Sequence, residues 1–178
     1  MLAKPDTARL FFAAWPAPEV QQLLGKFAQD LERKCGGRAI PARNIHLTLV
    51  FLGDIARERL TQVDALAAAV TAQPFDLNVD RVGYWRHNRI VWAGVSRCPG
   101  ALPVLVERLE SGLSAAGLRF DKRAYVPHVT LLRNARRVPP EAELPGIHWP
   151  VARFALVESV QRDRGRAYEV LREWPLTA

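Results

Sequence analysis

A four-residue pattern that occurs twice constrains this chain more than any other feature. Residues 46–49 (His-Leu-Thr-Leu) and 128–131 (His-Val-Thr-Leu) share the pattern His-x-Thr-Leu, and the two histidines lie 82 residues apart. Each copy lies within a short apolar segment that predicts a β-strand, at 44–52 and 126–132. Because alternate residues of a strand point to opposite faces, we expect the histidine and threonine of each copy to share one face.

The repetition matters because a single copy carries little information. One His-x-Thr triplet is most often an ordinary strand segment with a half-buried histidine. The chain has four histidines, and two of them lie in tetrapeptides that also match in the fourth residue, which is not expected by chance. If a pseudo-twofold axis relates the two halves of the chain, the two polar faces converge on one site.

The residues on these polar faces suit phosphoryl chemistry. His46 and His128 are imidazoles that titrate near neutral pH, so they can act as general base and general acid on opposite sides of a phosphorus centre. The hydroxyls of Thr48 and Thr130 can donate hydrogen bonds to its non-bridging oxygens. Carboxylates are missing from around both motifs, so the sequence predicts a site that uses no metal and no cofactor.

The remaining patterns predict an α+β fold with mostly antiparallel strands. Strands are expected at 9–14, 44–52, 75–82, 89–95, 126–132, 152–160 and 167–174, and helices at 19–34, 56–72 and 103–116. Turns are expected at 85–88 and 162–165, and a proline-rich loop at 138–150. Because no glycine-rich phosphate loop or Walker motif follows the first strand, a doubly wound nucleotide-binding sheet is not expected.

The charge balance favours an anionic partner. Lysine and arginine outnumber aspartate and glutamate by 25 to 18, which suits nucleic acids, nucleotides or an anionic membrane surface. Cys35 and Cys98 lack metal-binding spacing and are expected to be free thiols in a reducing cytosol. The first residues lack signal-peptide features, and no apolar run approaches the roughly 20 residues of a membrane span. We therefore expect a cytoplasmic monomer without a membrane partner.

The two motifs and their flanks resemble the 2H phosphoesterases, specifically the LigT/ThpR-type RNA 2′,3′-cyclic phosphodiesterases. The similar stretches are residues 9–13, 44–53, 89–94, 127–133 and 168–175. The resemblance implies a single bilobal domain over residues 1–178, with two pseudo-symmetric lobes of mostly antiparallel sheet, helices packed outside and a central cleft. It also implies metal-independent hydrolysis of RNA 2′,3′-cyclic phosphate ends to 2′-phosphomonoesters. Some members also join tRNA halves through a 2′-5′ linkage.

The same resemblance implies roles for the motif residues. His128 would be the proton acceptor that activates water, and His46 the proton donor to the leaving 3′ oxygen. Thr48 and Thr130 would hold the phosphate. Arg133 is a further phosphate contact because the similar stretch ends in arginine there, although strict alternation puts it opposite the histidine. Weaker hypotheses concern base stacking by Trp85 and Tyr125, an RNA contact by His87, a phosphate-binding rim of Arg133, Arg136 and Arg137, and a structural role for His148.

Two other functions fit the same residues. One is a non-catalytic RNA-binding module that uses the same cleft. The other is a 2H enzyme that acts on a small cyclic nucleotide or another phosphodiester. The intact histidine and threonine pairs argue against the binding module, because a protein that only binds RNA has no need of two titratable groups.

Overall fold

A computed structural model describes residues 6–140, 144–163 and 165–177, which form nine strands and three α-helices. The strands are β1 (Thr7–Ala14), β2 (Arg38–Ala39), β3 (Leu47–Ala56), β4 (Phe75–Trp85), β5 (Ile90–Val95), β6 (Val129–Arg133), β7 (Ile147–Val151), β8 (Arg153–Arg162) and β9 (Gly165–Pro175). The helices are α1 (Pro18–Cys35), α2 (Leu60–Ala68) and α3 (Ala101–Ala115). The prediction of an α+β fold is confirmed.

The strands form two sheets, and each sheet carries one of the two motifs. The four-stranded sheet has the order β3-β1-β8-β9, and the five-stranded sheet has the order β2-β6-β5-β4-β7. Every strand pair among the described residues is antiparallel. Because β1, β3, β8 and β9 come from both ends of the sequence, the two lobes interleave along the chain and are not its N- and C-terminal halves.

The helices pack against the sheets through apolar faces. In α1, buried Val20, Leu24, Ala28 and Leu31 recur every three or four residues, and the helix contacts β6 and β2 of the five-stranded sheet. Helices α2 and α3 contact each other, α3 contacts β3, and α2 contacts β9. One hydrophobic core joins all three helices to one face of each sheet. The opposite face of each sheet is therefore left to form the site.

Two strands, β2 and β7, were not expected from the sequence. Strand β7 lies within the segment 138–150 that we predicted to be a loop, of which residues 141–143 lie outside the described part of the chain. Its residues Ile147, Trp149 and Val151 are buried and alternate with exposed His148 and Pro150. Proline is tolerated there because β7 is an edge strand, with β4 as its neighbour among the described strands.

Other element boundaries also differ from prediction. Strand β3 continues to Ala56 instead of ending at Leu52, because Gly53 adopts a positive φ of 76° at a register shift against β1 and the strand runs on beyond it. The helix expected at 56–72 is shorter, since a 3-10 turn at Arg57–Arg59 precedes α2. The turn expected at 162–165 includes residue 164, which lies outside the described residues.

Two findings bear on the surroundings of the protein. In the described part of the chain, no helix has the length and apolar character needed to cross a membrane. Cys35 is buried and Cys98 is exposed, and both are free thiols.

Candidate active site

The two motifs occupy equivalent places in the two sheets. His46 directly precedes β3 and His128 directly precedes β6. The predicted strand boundaries had placed both histidines inside the strands. Strands β3 and β6 are in contact. The apolar residues of both motifs are buried in the core, whereas Thr48 and Thr130 are only part-buried. The predicted division of each motif into a polar and an apolar face is present.

Each motif strand contains a β-bulge at its fourth motif residue. Thr48 pairs with residue 13 of β1 and Val50 with residue 12, which leaves Leu49 without a partner on β1. In the same way, Thr130 pairs with residue 92 of β5 and Leu132 with residue 91, which leaves residue 131 without a partner on β5. A bulge of this kind inserts one residue and reverses the alternation of the residues that follow.

The bulge corrects the expected position of Arg133. Strict alternation puts Arg133 on the face opposite His128, but the unpaired Leu131 shifts the pattern by one residue and turns Arg133 to the face of Thr130. Burial is the main cause that lowers the pKa of His46 and of His128, and the charge of Arg133 adds to the lowering in both. In the first motif, a phenylalanine at residue 51 takes the equivalent place, so the arginine belongs to the second motif alone.

Both histidines are held in the same tautomer. The Nδ1–H of His46 donates to the carbonyl oxygen of Asn44, and the Nδ1–H of His128 donates to the carbonyl oxygen of Val126, each over 2.7 Å. A carbonyl can only accept, so Nδ1 carries the proton and Nε2 of the neutral ring is an acceptor. In the first motif, the Thr48 hydroxyl donates to His46 Nε2 over 3.1 Å. Each site therefore presents Nε2 for proton exchange.

Aromatic rings enclose His46. The ring of Trp15 stacks on it with a centroid distance of 5.2 Å and an interplanar angle of 3°. Phe11 lies 4.9 Å away, and Tyr168 meets the imidazole edge-on at 5.0 Å. Burial lowers the pKa of His46 to about 4; the hydrogen bond to Asn44 acts in the opposite direction, and nearby positive charges add to the lowering. His46 is therefore neutral at pH 7 in the free protein.

His128 has a similar but more open environment. The edge of Trp85 packs against its ring with a centroid distance of 4.5 Å. Burial lowers the pKa of His128, the hydrogen bond to the Val126 carbonyl opposes this shift, and the charges of Arg133 and Arg123 add to it. His128 is therefore also neutral at pH 7 in the free protein.

The lowered pKa of His46 predicts a pH dependence of stability. Its folded-state pKa of about 4 lies below the ordinary 6.5, so the unfolded chain binds more protons between these values. The stabilising contribution is fully present above about pH 6.5 and is lost as the pH falls towards 4. We expect the His46→Gln variant to lose less unfolding free energy than the wild type between about pH 7 and about pH 4.5, measured by urea denaturation. Equal losses would contradict the assigned burial.

Trp92 forms the floor of the site on the five-stranded sheet. It is the cross-strand partner of both Thr130 and Gly83. A Cβ atom added to Gly83 would lie 2.0 Å from Cζ2 of the indole, and one added to Gly94 would lie 2.7 Å from its Cζ3. The indole therefore lies flat across two positions that only glycine can occupy, beside the second motif.

This close approach predicts a large effect of a small substitution. We expect Gly83→Ala to destabilise the fold by about 1–3 kcal/mol, because the indole of Trp92 has to move. The matched control is Gly100→Ala, since no atom of the described residues lies within 4 Å of a Cβ added there. Unfolding in urea measures both. A Gly83→Ala/Trp92→Leu double variant should recover part of the loss, and strictly additive effects would show that the two residues do not interact.

Tyr125 links the two motifs. Its hydroxyl donates to the Thr48 carbonyl oxygen over 3.2 Å, and its ring packs against the core. Burial raises the pKa of Tyr125. Because ring and hydroxyl are both engaged, the structure favours packing over the base stacking suggested from the sequence. Of the other histidines, His87 is exposed in the β4–β5 turn, and His148 is exposed on β7 beside Asp76, with Nε2 and Oδ1 3.1 Å apart.

A broad surface depression lies away from both motifs. It borders α3 and is lined by Glu107, Glu110, Ser111, Ser114, Phe120 and Lys122. Glu107 and Glu110 make it a poor site for a phosphate, because their carboxylates repel an anion. No cluster of three or more histidine, cysteine or acidic residues that could hold a metal occurs among the residues that the structure describes.

Comparison with known proteins identifies the family. The family model described as "LigT like Phosphoesterase" matches residues 15–92, which include the first motif. The RNA 2′,3′-cyclic phosphodiesterase of Escherichia coli (strain K12) is 34% identical over 178 residues, covering 97% of this chain and 98% of the relative. The chain belongs to the LigT-like phosphoesterase family.

Other relatives agree with this assignment. The RNA 2′,3′-cyclic phosphodiesterase of Thermus thermophilus is 33% identical, and the match covers 94% of this chain and 90% of the relative. The crystal structure of E. coli LigT complexed with 3′-AMP matches with a TM-score of 0.90 and 30% identity, covering 97% of this chain and all of that one. The resemblance found in the two motifs is confirmed, and family membership makes this chain a phosphoesterase, which is a hydrolase.

Sequence reasoning missed several residues of this LigT-like site. Phe11 and Trp15, in and just after β1, enclose His46 together with Tyr168 of β9. These two segments lie near opposite ends of the chain, so no local pattern brings the rings together. Trp92 had a signal that was available. Gly94, two residues after Trp92, lies on the same strand face and leaves room for the indole to lie flat.

Proposed function

We propose that this LigT-like phosphoesterase hydrolyses RNA 2′,3′-cyclic phosphate ends to 2′-phosphomonoesters by metal-independent acid–base catalysis. One observation carries the proposal: a backbone carbonyl fixes the same tautomer in His46 and in His128. The positive charge of Arg133 acts on both rings. Relatives that cover nearly the whole chain are RNA 2′,3′-cyclic phosphodiesterases, which supports RNA as the substrate.

The proposed reaction uses one histidine on each side of the phosphorus. Nε2 of His128 accepts a proton from water as the water oxygen bonds to phosphorus. The bond between phosphorus and the 3′ oxygen breaks, and that oxygen takes the proton from Nε2 of His46. The phosphate stays on the 2′ oxygen. Because both rings present the same tautomer, the choice of donor and acceptor rests on the family resemblance.

The anionic substrate prepares the site for this reaction. In the free site the positive charge of Arg133 lowers the pKa of His46, and a bound phosphate opposes this effect and favours the protonated ring. Once Nε2 of His46 carries a proton, it no longer accepts from the Thr48 hydroxyl. The hydroxyl is then free to donate to a non-bridging oxygen, as Thr130 does from the other side.

The first test is the identity of the product. We expect the purified protein to hydrolyse 2′,3′-cyclic nucleotides and cyclic-ended oligonucleotides and to give only the 2′-phosphate, identified by phosphorus NMR. A 3′-phosphate product would contradict the assigned leaving group. Binding of RNA without hydrolysis would support the non-catalytic module, and hydrolysis of mononucleotides alone would support the small-nucleotide enzyme. Reverse 2′-5′ ligation, the monomeric state and the cytoplasmic location stay predictions.

A second test concerns metal ions. We expect the hydrolysis rate to be unchanged by EDTA, because imidazoles, hydroxyls and one guanidinium supply proton transfer and charge stabilisation in the proposed reaction. The control is the same assay with added Mg²⁺ or Mn²⁺. Loss of activity in EDTA that a divalent ion restores would contradict a metal-independent mechanism.

A further inference from the structure

We propose that a band of arginines at one corner of the five-stranded sheet binds the single-stranded RNA that carries the cyclic end. The proposal rests on the proposed function and deepens it, because it makes an oligonucleotide a better substrate than a mononucleotide. The arginine band consists of six exposed residues: Arg38, Arg86, Arg89, Arg133, Arg136 and Arg137.

The band begins at the reaction site. Arg133, at the end of β6, lies on the face of Thr130, because the bulge at Leu131 shifts the alternation of the strand. Its direct cross-strand partner on β2 is Arg38. Cross-strand partners point to the same face of a sheet, so Arg38 continues the positive charge outward from the position of the reacting phosphate.

Backbone hydrogen bonds bring the other arginines to the same corner. The carbonyl oxygen of Arg89 accepts from the N–H of Ala135 over 3.0 Å, which ties the β4–β5 turn to the segment after β6. The N–H groups of Arg136 and Arg137 both donate to the Cys35 carbonyl, over 2.9 and 3.0 Å, at the end of α1. Three chain segments that are distant in sequence therefore place positive charges together.

These charges have no acidic partners in the described residues. The ion pairs found there involve other arginines and His148. Glu32, near the end of α1, uses Oε1 to accept from the N–H of Ala39 over 3.1 Å. Like charges held together in this way repel one another, and an anionic polymer with regularly spaced phosphates relieves the repulsion.

Backbone conformation gives independent support. Arg89 and Asn134, with φ of 54° and 56°, are the non-glycine residues with positive φ in the described chain. Both lie at this corner. A left-handed conformation is strained for a residue with a side chain, and glycine avoids this strain. Strain of this kind is typical of functional sites, and at Arg89 it accompanies a positive charge in the β4–β5 turn.

Single-stranded RNA is the partner that this geometry favours. The substrate end must reach His46 and His128, so the chain upstream of that end leaves the site across its surroundings. The arginine band is continuous with the site through Arg133 and reaches the exposed β4–β5 turn. Separate guanidinium groups suit successive backbone phosphates, and such contacts make binding salt-dependent.

The test compares a cyclic-ended oligoribonucleotide with the 2′,3′-cyclic mononucleotide of the same base. We expect Arg136→Ala/Arg137→Ala to lower kcat/KM for the oligonucleotide by about tenfold at low salt, with no change for the mononucleotide. The slope of log Kd against log salt should fall by about 1.4, or about 0.7 for each lost phosphate contact with a single strand. The matched control is Arg97→Ala/Arg153→Ala, which removes two exposed arginines elsewhere.

A second pair of variants separates binding from folding. Arg89→Gly relieves backbone strain and removes a charge, whereas Asn134→Gly relieves similar strain and leaves the charge unchanged. We expect both variants to be at least as stable as the wild type, and only Arg89→Gly to raise KM for the oligonucleotide. Equal effects on both substrates, or unchanged oligonucleotide kinetics in the arginine variants, would contradict the proposal that the arginine band binds RNA. A wild type that hydrolyses neither substrate would instead overturn the proposed function.

Discussion

His46→Ala and His128→Ala are each expected to lower kcat/KM for a 2′,3′-cyclic phosphate by several hundredfold or more. General acid or base catalysis by one positioned group contributes about 10²- to 10⁴-fold, and each imidazole presents an Nε2 positioned for proton exchange. The measurement is steady-state hydrolysis by variants whose folding has been checked by circular dichroism. Near-full activity in either variant would overturn the two-histidine mechanism.

The matched control for these variants is His148→Ala. His148 is exposed on β7, where it contacts Asp76, so its loss should leave the rate unchanged. The pH profile gives a second readout, because two interacting groups of opposite role give a bell with two macroscopic pKa values. Each histidine variant should lose one limb of the bell. An unchanged profile would show that other groups set the pH dependence.

The second large effect is expected from the threonines. Thr48→Val and Thr130→Val remove a hydroxyl and keep a branched side chain, and each should lower kcat by about a hundredfold, the usual effect of losing one donor to a developing oxyanion. The matched control is Thr61→Val, since Thr61 is exposed on α2. A loss confined to KM would mean that the hydroxyls bind substrate and transition state equally.

The two threonine variants should differ in their pH dependence. In the free protein, the Thr48 hydroxyl donates to Nε2 of neutral His46, and this bond favours the neutral ring. Thr48→Val should therefore raise the pKa of His46, seen by NMR as an imidazole titration at higher pH. Within the described residues, no equivalent bond joins the side chains of Thr130 and His128, so Thr130→Val should leave the His128 titration nearly in place.

Alternation along a strand was enough to predict which motif residues share a face. His46 and Thr48 are two residues apart, and their side chains are hydrogen-bonded. Alternation failed for Arg133, because the bulge at Leu131 depends on how β6 pairs with β5. Residue 91 of β5 is distant in sequence from Leu132, so no local pattern reveals the shift.

The sequence by itself determined which polar groups the two motifs offer. Two titratable rings and two hydroxyls recur at matched spacing, and an apolar face ties each pair to the core. Only the tertiary structure decided how those groups are tuned. The pKa of His46 depends on burial beneath Trp15, Phe11 and Tyr168. Burial is set by side chains from distant segments, and a sequence pattern with a period of two residues carries no information about them.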